Sequence, residues 1–286
     1  MNDVSIPRRY KEINYDQNEL PNYIKQVLQL EAVACKDWLT NKVDRCVTGR
    51  VAQQQGVGEL HLPLSNCGVT ALDYTGQKGI ATSIGHAPVS ALIDPKKGSN
   101  TAIAEALTNI VFAPLEKGLE SVSLSANWMW PCNNPGEDAR LYQAVQECSD
   151  FAIALGINIP TGKDSLSMKQ KYPDGDVLAP GTVIISAAGQ CKDVKQIITP
   201  VARWNGGDFY YIDFAQDSFH LGGSSFAQSQ DRIGTETPCV QDATYFKTAF
   251  NAIQDHISEG KITSGHDIGS GGLITTLLEL CCLSTS

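Results

Sequence analysis

The chain has 286 residues, of which 42% are hydrophobic and 19% charged, and its formal net charge is −9. This length suffices for about two domains with hydrophobic cores of their own. The negative charge argues against nucleic acid as a partner, because nucleic-acid-binding surfaces need a basic stripe. The N-terminus has no apolar signal region, and no apolar run approaches the ~20 residues of a membrane span, so we expect no membrane contact.

The cysteines indicate a reducing environment. There are nine of them, and none forms a Cys-x-x-Cys pair. The five histidines are not spaced with the cysteines as zinc ligands are; they are His61, His86, His220, His256 and His266. We therefore expect reduced, mostly buried thiols in a cytoplasmic protein.

The N-terminal region, residues 1–45, is predicted to be a linker and helical lead-in. Within it, Asn18–Leu30 has the apolar spacing of a helix, with Pro21 near the start. Alternating strands and glycine turns follow. Gly68–Tyr74 is predicted to be a strand, and Thr75–Gly79 a hairpin connection.

The next stretch combines a strand region and a helix. Gly79–Ile93 is predicted to be a second, longer strand region, and Ser99 is expected to cap a helix running to about Phe112. Glu105 and Asn109 lie four residues apart and therefore share one helix face. They could be an ordinary solvated polar pair, or a carboxylate and an amide oxygen that jointly coordinate Mg²⁺.

A dense polar segment follows the next two elements. Leu119–Trp128 is predicted to be a strand, and a helix starting near Asn134 is expected to end at Gly156. The segment beyond it suits a phosphorylated ligand, since glycine permits close backbone approach while lysine and hydroxyls bind phosphate oxygens. A solvated turn is the alternative. The polar residues are Gly162, Lys163, Asp164, Ser165 and Ser167.

The last 87 residues are predicted to form a second unit with a boundary near Pro200. Strands are expected at Asp208–Asp213 and at Lys261–His266. Asp242 is expected to cap a long helix, and a glycine-rich turn at Asp267–Gly272 leads into a final helix. With so few strands, we expect this unit to be an incomplete domain.

Four motifs now coincide: Glu-Ala-Leu-Thr-Asn at 105–109, Leu-Ser-Ala-Asn-Trp-Met at 124–129, the segment 160–168, and Gly-His-Asp-Ile-Gly-Ser-Gly-Gly-Leu at 265–273. In this order and spacing the chain resembles the large form of phosphoribosylformylglycinamidine synthase from about Leu20 onward. The resemblance implies an α+β fold. A mixed sheet-and-helix A domain of the aminoimidazole ribonucleotide synthase-like superfamily (46–199) would precede a truncated B domain (200–286).

The resemblance also implies an activity. The family is an ATP-dependent ligase of purine biosynthesis that converts formylglycinamide ribonucleotide and glutamine to formylglycinamidine ribonucleotide, with ATP/ADP and Mg²⁺ as cofactors. Its other domains, including a glutaminase, would be partners, and we expect this chain to be inactive alone. A non-catalytic nucleotide-binding or dimerisation scaffold is the alternative. An uncovered A domain should expose an apolar sheet face and could form a homodimer.

Site residues follow from the motifs that match the family, although no catalytic residue can be assigned. The implied metal ligands are Asn66, Glu105, Asn109 and Asp267. The implied nucleotide or substrate contacts are Ser65, Gly162, Lys163, Asp164, Ser165, Ser167 and Gly269. Three positions depart from the family pattern. Asn66 stands where the family has a ligating aspartate, so cation affinity should be weaker. In the glycine-rich turn, Gly269 lacks a hydroxyl expected near the nucleotide, and Ser270 stands where the family has an acid.

Overall fold

A computed structural model describes residues 8–40, 49–202 and 207–282. Ten strands occur in these ranges: β1 Val51–Gln53, β2 Gly56–Val57, β3 Leu62–Pro63, β4 Cys67–Ala71, β5 Gly79–His86, β6 Val122–Met129, β7 Asn158–Ser165, β8 Lys169–Tyr172, β9 Gly175–Leu178 and β10 Thr182–Cys191. The α-helices are α1 Leu20–Leu28, α2 Asp37–Thr40, α3 Pro88–Ile93, α4 Pro95–Ile110, α5 Glu137–Leu155, α6 Ser225–Ser229, α7 Ala243–Ser258 and α8 Gly272–Cys282.

Six strands form one mixed sheet in the order β1-β4-β5-β10-β6-β7. All neighbours are antiparallel except β6 and β7, which run parallel because α5 connects them as a crossover helix. The expected hairpin at 75–79 is confirmed, since β4 and β5 pair with Ala71 opposite Gly79. With helices packed beside a mixed sheet, the fold is α+β.

Helix α4 covers the inner face of β5, on which every second side chain is buried. The predicted strand at 79–93 is wrong beyond His86, because Pro88 occupies the first turn of helix α3, where a missing N–H costs nothing. The predicted start of α4 at Ser99 is also wrong. Asp94 caps this helix by accepting hydrogen bonds from two backbone N–H groups, so the helix begins at Pro95.

A single hydrophobic core joins the sheet to helices from both halves of the chain. Ile103 and Leu107 of α4 are fully buried in it, as are Phe246 and Phe250 of α7. The ring of Phe246 meets that of Phe151 on α5 edge-on, with centroids 6.1 Å apart. Asp242 caps α7 as expected, and Gly156 ends α5 with φ of +76°.

Two predicted strands are wrong. Residues 208–213 have the composition of a strand, but no neighbour among the described residues pairs with them, and Tyr210 is 82% exposed. Residues 261–266 are irregular, and the N–H of Gly265 instead donates to the carbonyl of Thr199. A strand needs a partner for its backbone groups, and local residue preference does not provide one.

The outer face of the sheet is open but is not the apolar face expected. Ile80 and Ile84 are 44% and 55% exposed. Between and beside them lie Thr82, Ser186 and Gln190, all exposed. Hydrophilic and small side chains thus interrupt the aliphatic ones, which gives a mixed surface.

The expectation of mostly buried thiols is only partly met. Eight cysteines are described and all are free; Cys67, Cys148 and Cys191 are buried, whereas Cys35, Cys281 and Cys282 are exposed. Burial raises the pKa of both Cys67 and Cys148 to about 12, so these thiols are unreactive. Within the described ranges, no helix is both long and apolar enough to cross a membrane.

Candidate nucleotide and metal site

Glu105 and Asn109 are anchored to the strand beneath their helix. The Glu105 Oε2 atom accepts a hydrogen bond of 2.6 Å from the backbone N–H of His86. One turn further on, the Asn109 Nδ2 atom donates to the carbonyl of Ile84 over 2.8 Å. Both ends of the pair are therefore fixed by β5, and neither is a freely solvated side chain.

The second polar atom of Asn109 lacks a hydrogen-bond partner. Asn109 is 8% exposed, and its Oδ1 atom is buried with no partner among the described residues. A buried carbonyl oxygen without a donor is costly unless a cation or a water molecule supplies the missing interaction. This oxygen is thus an available ligand for a hard cation.

The electrostatic surroundings of the Glu105 carboxyl group also favour a bound cation. Burial raises the pKa of its carboxyl group, and the hydrogen bond from His86 and the charge of His86 oppose that rise, whereas the negative charge of Asp267 adds to it. Holding Glu105 ionised beside Asp267 is therefore unfavourable without added positive charge. A divalent ion would relieve this cost.

Asp267 reaches the same region from the glycine-rich turn before α8. Both of its carboxylate oxygens accept from Asn66 Nδ2, at 3.1 and 3.0 Å. His266 lies on the other side, with Nδ1 3.4 Å from Asp267 Oδ1 and Nε2 2.8 Å from Glu279 Oε2. The turn is thereby held between the β3–β4 loop and helix α8.

The His266 imidazole should give a measurable pH dependence. Burial lowers its pKa, but hydrogen bonds to Asp267 and Glu279 outweigh this and raise the pKa from 6.5 to about 9. Since the folded state binds the proton more tightly, the stabilisation is full below about pH 6.5 and is lost as pH rises through about 9. His266→Gln should therefore destabilise most at low pH, by on the order of 3 kcal/mol.

Urea denaturation of the parent chain and His266→Gln, both in EDTA, measures this difference. We expect the gap between their free energies of unfolding to shrink from pH 6 to above pH 9. A gap that stays constant over that range would contradict the raised pKa of His266.

Asn109, His266 and Asp267 line a small cavity, whereas Glu105 does not. Its volume is about 20 Å³, and the polar residues lining it include Ser65, Asn66, Asn109 and Asp267. The described residues contain no cluster of three or more His, Cys, Asp or Glu side chains suited to a metal. Two carboxylates with the Asn109 amide oxygen are nevertheless chemically suitable ligands for Mg²⁺, and the absence of a partner for that oxygen among the described residues supports this fit, whereas Asn66 presents its Nδ2 atom to Asp267.

Two further expected contacts lie close by. Ser65 accepts from Gln53 Nε2 at 2.9 Å and donates to the carbonyl of Cys67 at 3.1 Å, which orders the β3–β4 loop. A Cβ atom added to Gly269 would lie 3.5 Å from Asp267 Oδ2, an ordinary contact. A side chain is thus sterically possible at Gly269.

The polar segment around Gly162 lies at the far edge of the sheet. It forms the edge strand β7, whereas the cation candidates lie beside β4 and β5. Three strand spacings of about 4.8 Å separate β5 from β7, a distance of roughly 14 Å. The structure therefore does not bring the two sets of predicted residues together.

Strand β7 has its own local order. Lys163 Nζ hydrogen-bonds Ser165 Oγ on the outer face, and Asp164 is exposed. A Cβ atom at Gly162 would lie 2.3 Å from the carbonyl oxygen of Ala126, so glycine is needed for the strands to approach. Ser167 follows in a bridge to Pro131.

Two participants were not found from the sequence. The backbone N–H of His86 orients Glu105, and backbone groups carry no residue-type signal. Glu279 binds His266 from helix α8, thirteen residues further along the chain. Neither spacing matches a local ligand motif, so only the folded arrangement reveals them.

Comparison with known proteins shows the family to which this chain belongs. The sequence profile of the FGAR-AT PurM_N-like domain matches residues 35–190. A probable phosphoribosylformylglycinamidine synthase of Arabidopsis thaliana, named as chloroplastic/mitochondrial, is 42% identical over 264 residues, covering 91% of this chain and 19% of that protein. Phosphoribosylformylglycinamidine synthase of Homo sapiens is 41% identical over 259 residues, covering 90% and 19%.

Solved structures agree with the fold. The T. maritima PurL structure complexed with FGAR has a TM-score of 0.53 and 16% identity, and covers 76% of this chain and 33% of that one. At this identity the likeness concerns the fold alone. The chain spans about a fifth of the length of the curated relatives it matches. It belongs to the phosphoribosylformylglycinamidine synthase family, with the FGAR-AT PurM_N-like domain over residues 35–190.

Proposed function

We propose that the chain forms part of an ATP-dependent ligase that converts formylglycinamide ribonucleotide and glutamine to formylglycinamidine ribonucleotide. Its contribution would be a nucleotide and Mg²⁺ site. The observation that carries this proposal is the cavity lined by Asn109 and Asp267, where the Asn109 oxygen has no partner among the described residues. Glu105 interacts electrostatically with Asp267 from the same helix face as Asn109. The names of relatives that are 41–42% identical supply the reaction class.

The chain's own residues would prepare this site before any ligand arrives. The N–H of His86 fixes the Glu105 carboxylate, and the Ile84 carbonyl fixes the Asn109 amide, whose oxygen has no partner among the described residues. A bound Mg²⁺ would neutralise charge on nucleotide phosphates. Asp267 would join the site from a different part of the chain, held there by Asn66.

The edge strand β7 is proposed as a separate surface for substrate or phosphate. Lys163 supplies a cation, Ser165 a hydroxyl, and Gly162 close strand packing. Asp164 and Ser167 would border this surface. Its distance from the cation candidates indicates that the two sets would contact different parts of the ligands, or different ligands.

We also propose domain boundaries, partner domains and a cellular location for the chain. We retain 46–199 as the A domain and 200–286 as part of a B domain, supported by a sheet lying wholly within residues 51–191. The open outer face suits another A-type unit of the same synthase or a second copy of this chain, and sedimentation velocity distinguishes these. The remaining synthase domains, including a glutaminase, are the proposed partners. A cytoplasmic location fits the free cysteines.

Removing either carboxylate tests the nucleotide and Mg²⁺ site. We expect Asp267→Ala and Glu105→Ala each to weaken Mg²⁺-dependent ADP binding to this chain by at least about tenfold, because metal sites commonly lose 10–100-fold when their support is removed. Calorimetric titration of ADP with and without Mg²⁺ measures the ADP affinity of the parent and of each variant. Asp174→Ala, at an exposed position in the β8–β9 turn, is the matched control and should bind as the parent does.

Equal binding by the parent and both variants would contradict the assignment of Glu105 and Asp267. The isolated chain should not turn over formylglycinamide ribonucleotide with ATP and ammonium, because the paired domains of the synthase would supply part of the site. Turnover by this chain alone would contradict that expectation.

A non-catalytic scaffold is the second candidate. The observation that favours it is the cavity volume of about 20 Å³, which accommodates one water-sized species and no nucleotide. A parent chain that binds no ADP with or without Mg²⁺ in the same titration would favour the scaffold.

A further inference from the structure

The turn at 265–272 is joined to the sheet unit through a side-chain pair. Asn66 lies in the loop between β3 and β4, and Asp267 lies 201 residues further along the chain. Asn66 Nδ2 is 3.1 Å from one carboxylate oxygen of Asp267 and 3.0 Å from the other. The side chain of Asp267 is 7% exposed, whereas Asn66 is an exposed residue, so the amide approaches the carboxylate from the solvent side.

The chemistry of the two groups fixes the orientation of the amide. An amide beside a carboxylate must present its N–H group, because its oxygen would be repelled. Asp267 Oδ1 also has His266 Nδ1 at 3.4 Å. Donors from two residues therefore surround the buried carboxylate without any cation.

A neutral amide at position 66 is important for this contact because other negatively charged groups are close to Asp267. The His266 ring lies between two carboxylates, with Nδ1 3.4 Å from Asp267 Oδ1 and Nε2 2.8 Å from Glu279 Oε2. A carboxylate at position 66 would place a third negative group at this junction, and like charges require a cation to remain together. Asn66 replaces that repulsion with hydrogen bonds.

A cation would have to displace the same contact. The cavity of about 20 Å³ has room for a single water-sized species. For position 66 to ligate an ion, the Nδ2 contacts to Asp267 must break and the amide must rotate to present Oδ1. Hydrogen bonding and ligation by Asn66 are therefore mutually exclusive.

We propose that Asn66 removes the need for a cation where the 265–272 turn meets the β3–β4 loop. Its amide holds Asp267 directly and keeps the turn docked without a divalent ion. The same amide competes with any ion for Asp267. This inference concerns the cation-free chain. It does not rest on nucleotide binding, so failure of the ADP titrations would leave it standing.

Hydrogen exchange of the amides in residues 265–282, in EDTA and in millimolar MgCl₂, tests the inference. The parent should show the same protection in both solutions. Asn66→Asp should exchange about tenfold faster than the parent in EDTA and regain protection in MgCl₂, since losing the donor and adding a like charge costs roughly 1.4 kcal/mol. Asn133→Asp, at an exposed turn position, adds the same charge away from the junction and should match the parent.

Asn66→Ala distinguishes the effect of losing the hydrogen bonds from the effect of adding a charge, because it removes the amide without introducing a carboxylate. It should exchange faster than the parent in both solutions, with no recovery in MgCl₂. Parent protection that depends on Mg²⁺ as strongly as that of Asn66→Asp would overturn the inference. Unchanged protection of both Asn66 variants in EDTA would overturn it too.

Discussion

Gly85→Ala should destabilise the chain by about 3 kcal/mol and should disturb the cation site as well. A Cβ atom at Gly85 would lie 2.2 Å from the carbonyl oxygen of Ala102 and 2.3 Å from the backbone nitrogen of Ala106. Both atoms belong to the backbone of α4, so no side-chain rotation relieves the clash. Overpacking of this kind costs about 1–3 kcal/mol, and backbone clashes fall at the upper end.

The same clash would move Glu105 away from its anchor. Gly85 immediately precedes His86, whose N–H holds Glu105 at 2.6 Å. Denaturant unfolding measures the loss of stability, and ADP titration measures the effect on binding. Gly68→Ala on the neighbouring strand is the matched control, because its added Cβ would meet only Thr82 Oγ1, at 3.4 Å. Equal stability of the two variants would contradict the close packing of α4 on β5.

Gln254→Leu should cost about 3 kcal/mol by leaving buried backbone groups without partners. Gln254 is 4% exposed on α7. Its Oε1 atom accepts from the N–H of Leu115 at 2.8 Å, and its Nε2 atom donates to the carbonyls of Val111 and Ala113. Each buried group left unpaired costs about 1–3 kcal/mol, which the greater hydrophobicity of leucine only partly offsets.

Urea denaturation measures this effect, and Gln146→Leu is the matched control. Gln146 lies on an exposed position of α5, where the same substitution should change stability by no more than about 0.5 kcal/mol. If both variants lose the same stability, hydrogen bonding by Gln254 does not join α7 to the 111–115 turn. Leucine is close to glutamine in volume, so a difference between the variants reports mainly on the polar contacts.

Local signals were sufficient where the determinants of an element are near in sequence. Periodic apolar residues, a capping aspartate at Asp242 and a terminating glycine at Gly156 predicted α7 and the end of α5. The four-residue spacing of Glu105 and Asn109 correctly placed both side chains on one face of α4, which lies against β5. Helices are specified by hydrogen bonds between residues four apart, so predicting them requires no knowledge of the rest of the chain.

Strands were harder than helices to predict from the sequence. Residues 208–213 have strand-like composition and form no strand. The polar segment 158–165 forms the edge strand β7, where one side is paired and polar side chains are tolerated. A strand is defined by its neighbour, and the neighbour of β7 is known only once α5 has returned the chain beside β6.

The main helices, the β4–β5 hairpin and the residue types available to hold a cation were predictable from the order of residues, and the motifs indicated the family. How those residues are used depends on the folded arrangement. It placed Asn66 on Asp267, separated by 201 positions, joined α7 to the core beneath the sheet, and set β7 three strands away from β5. Such contacts depend on packing between distant segments, for which no local spacing carries information.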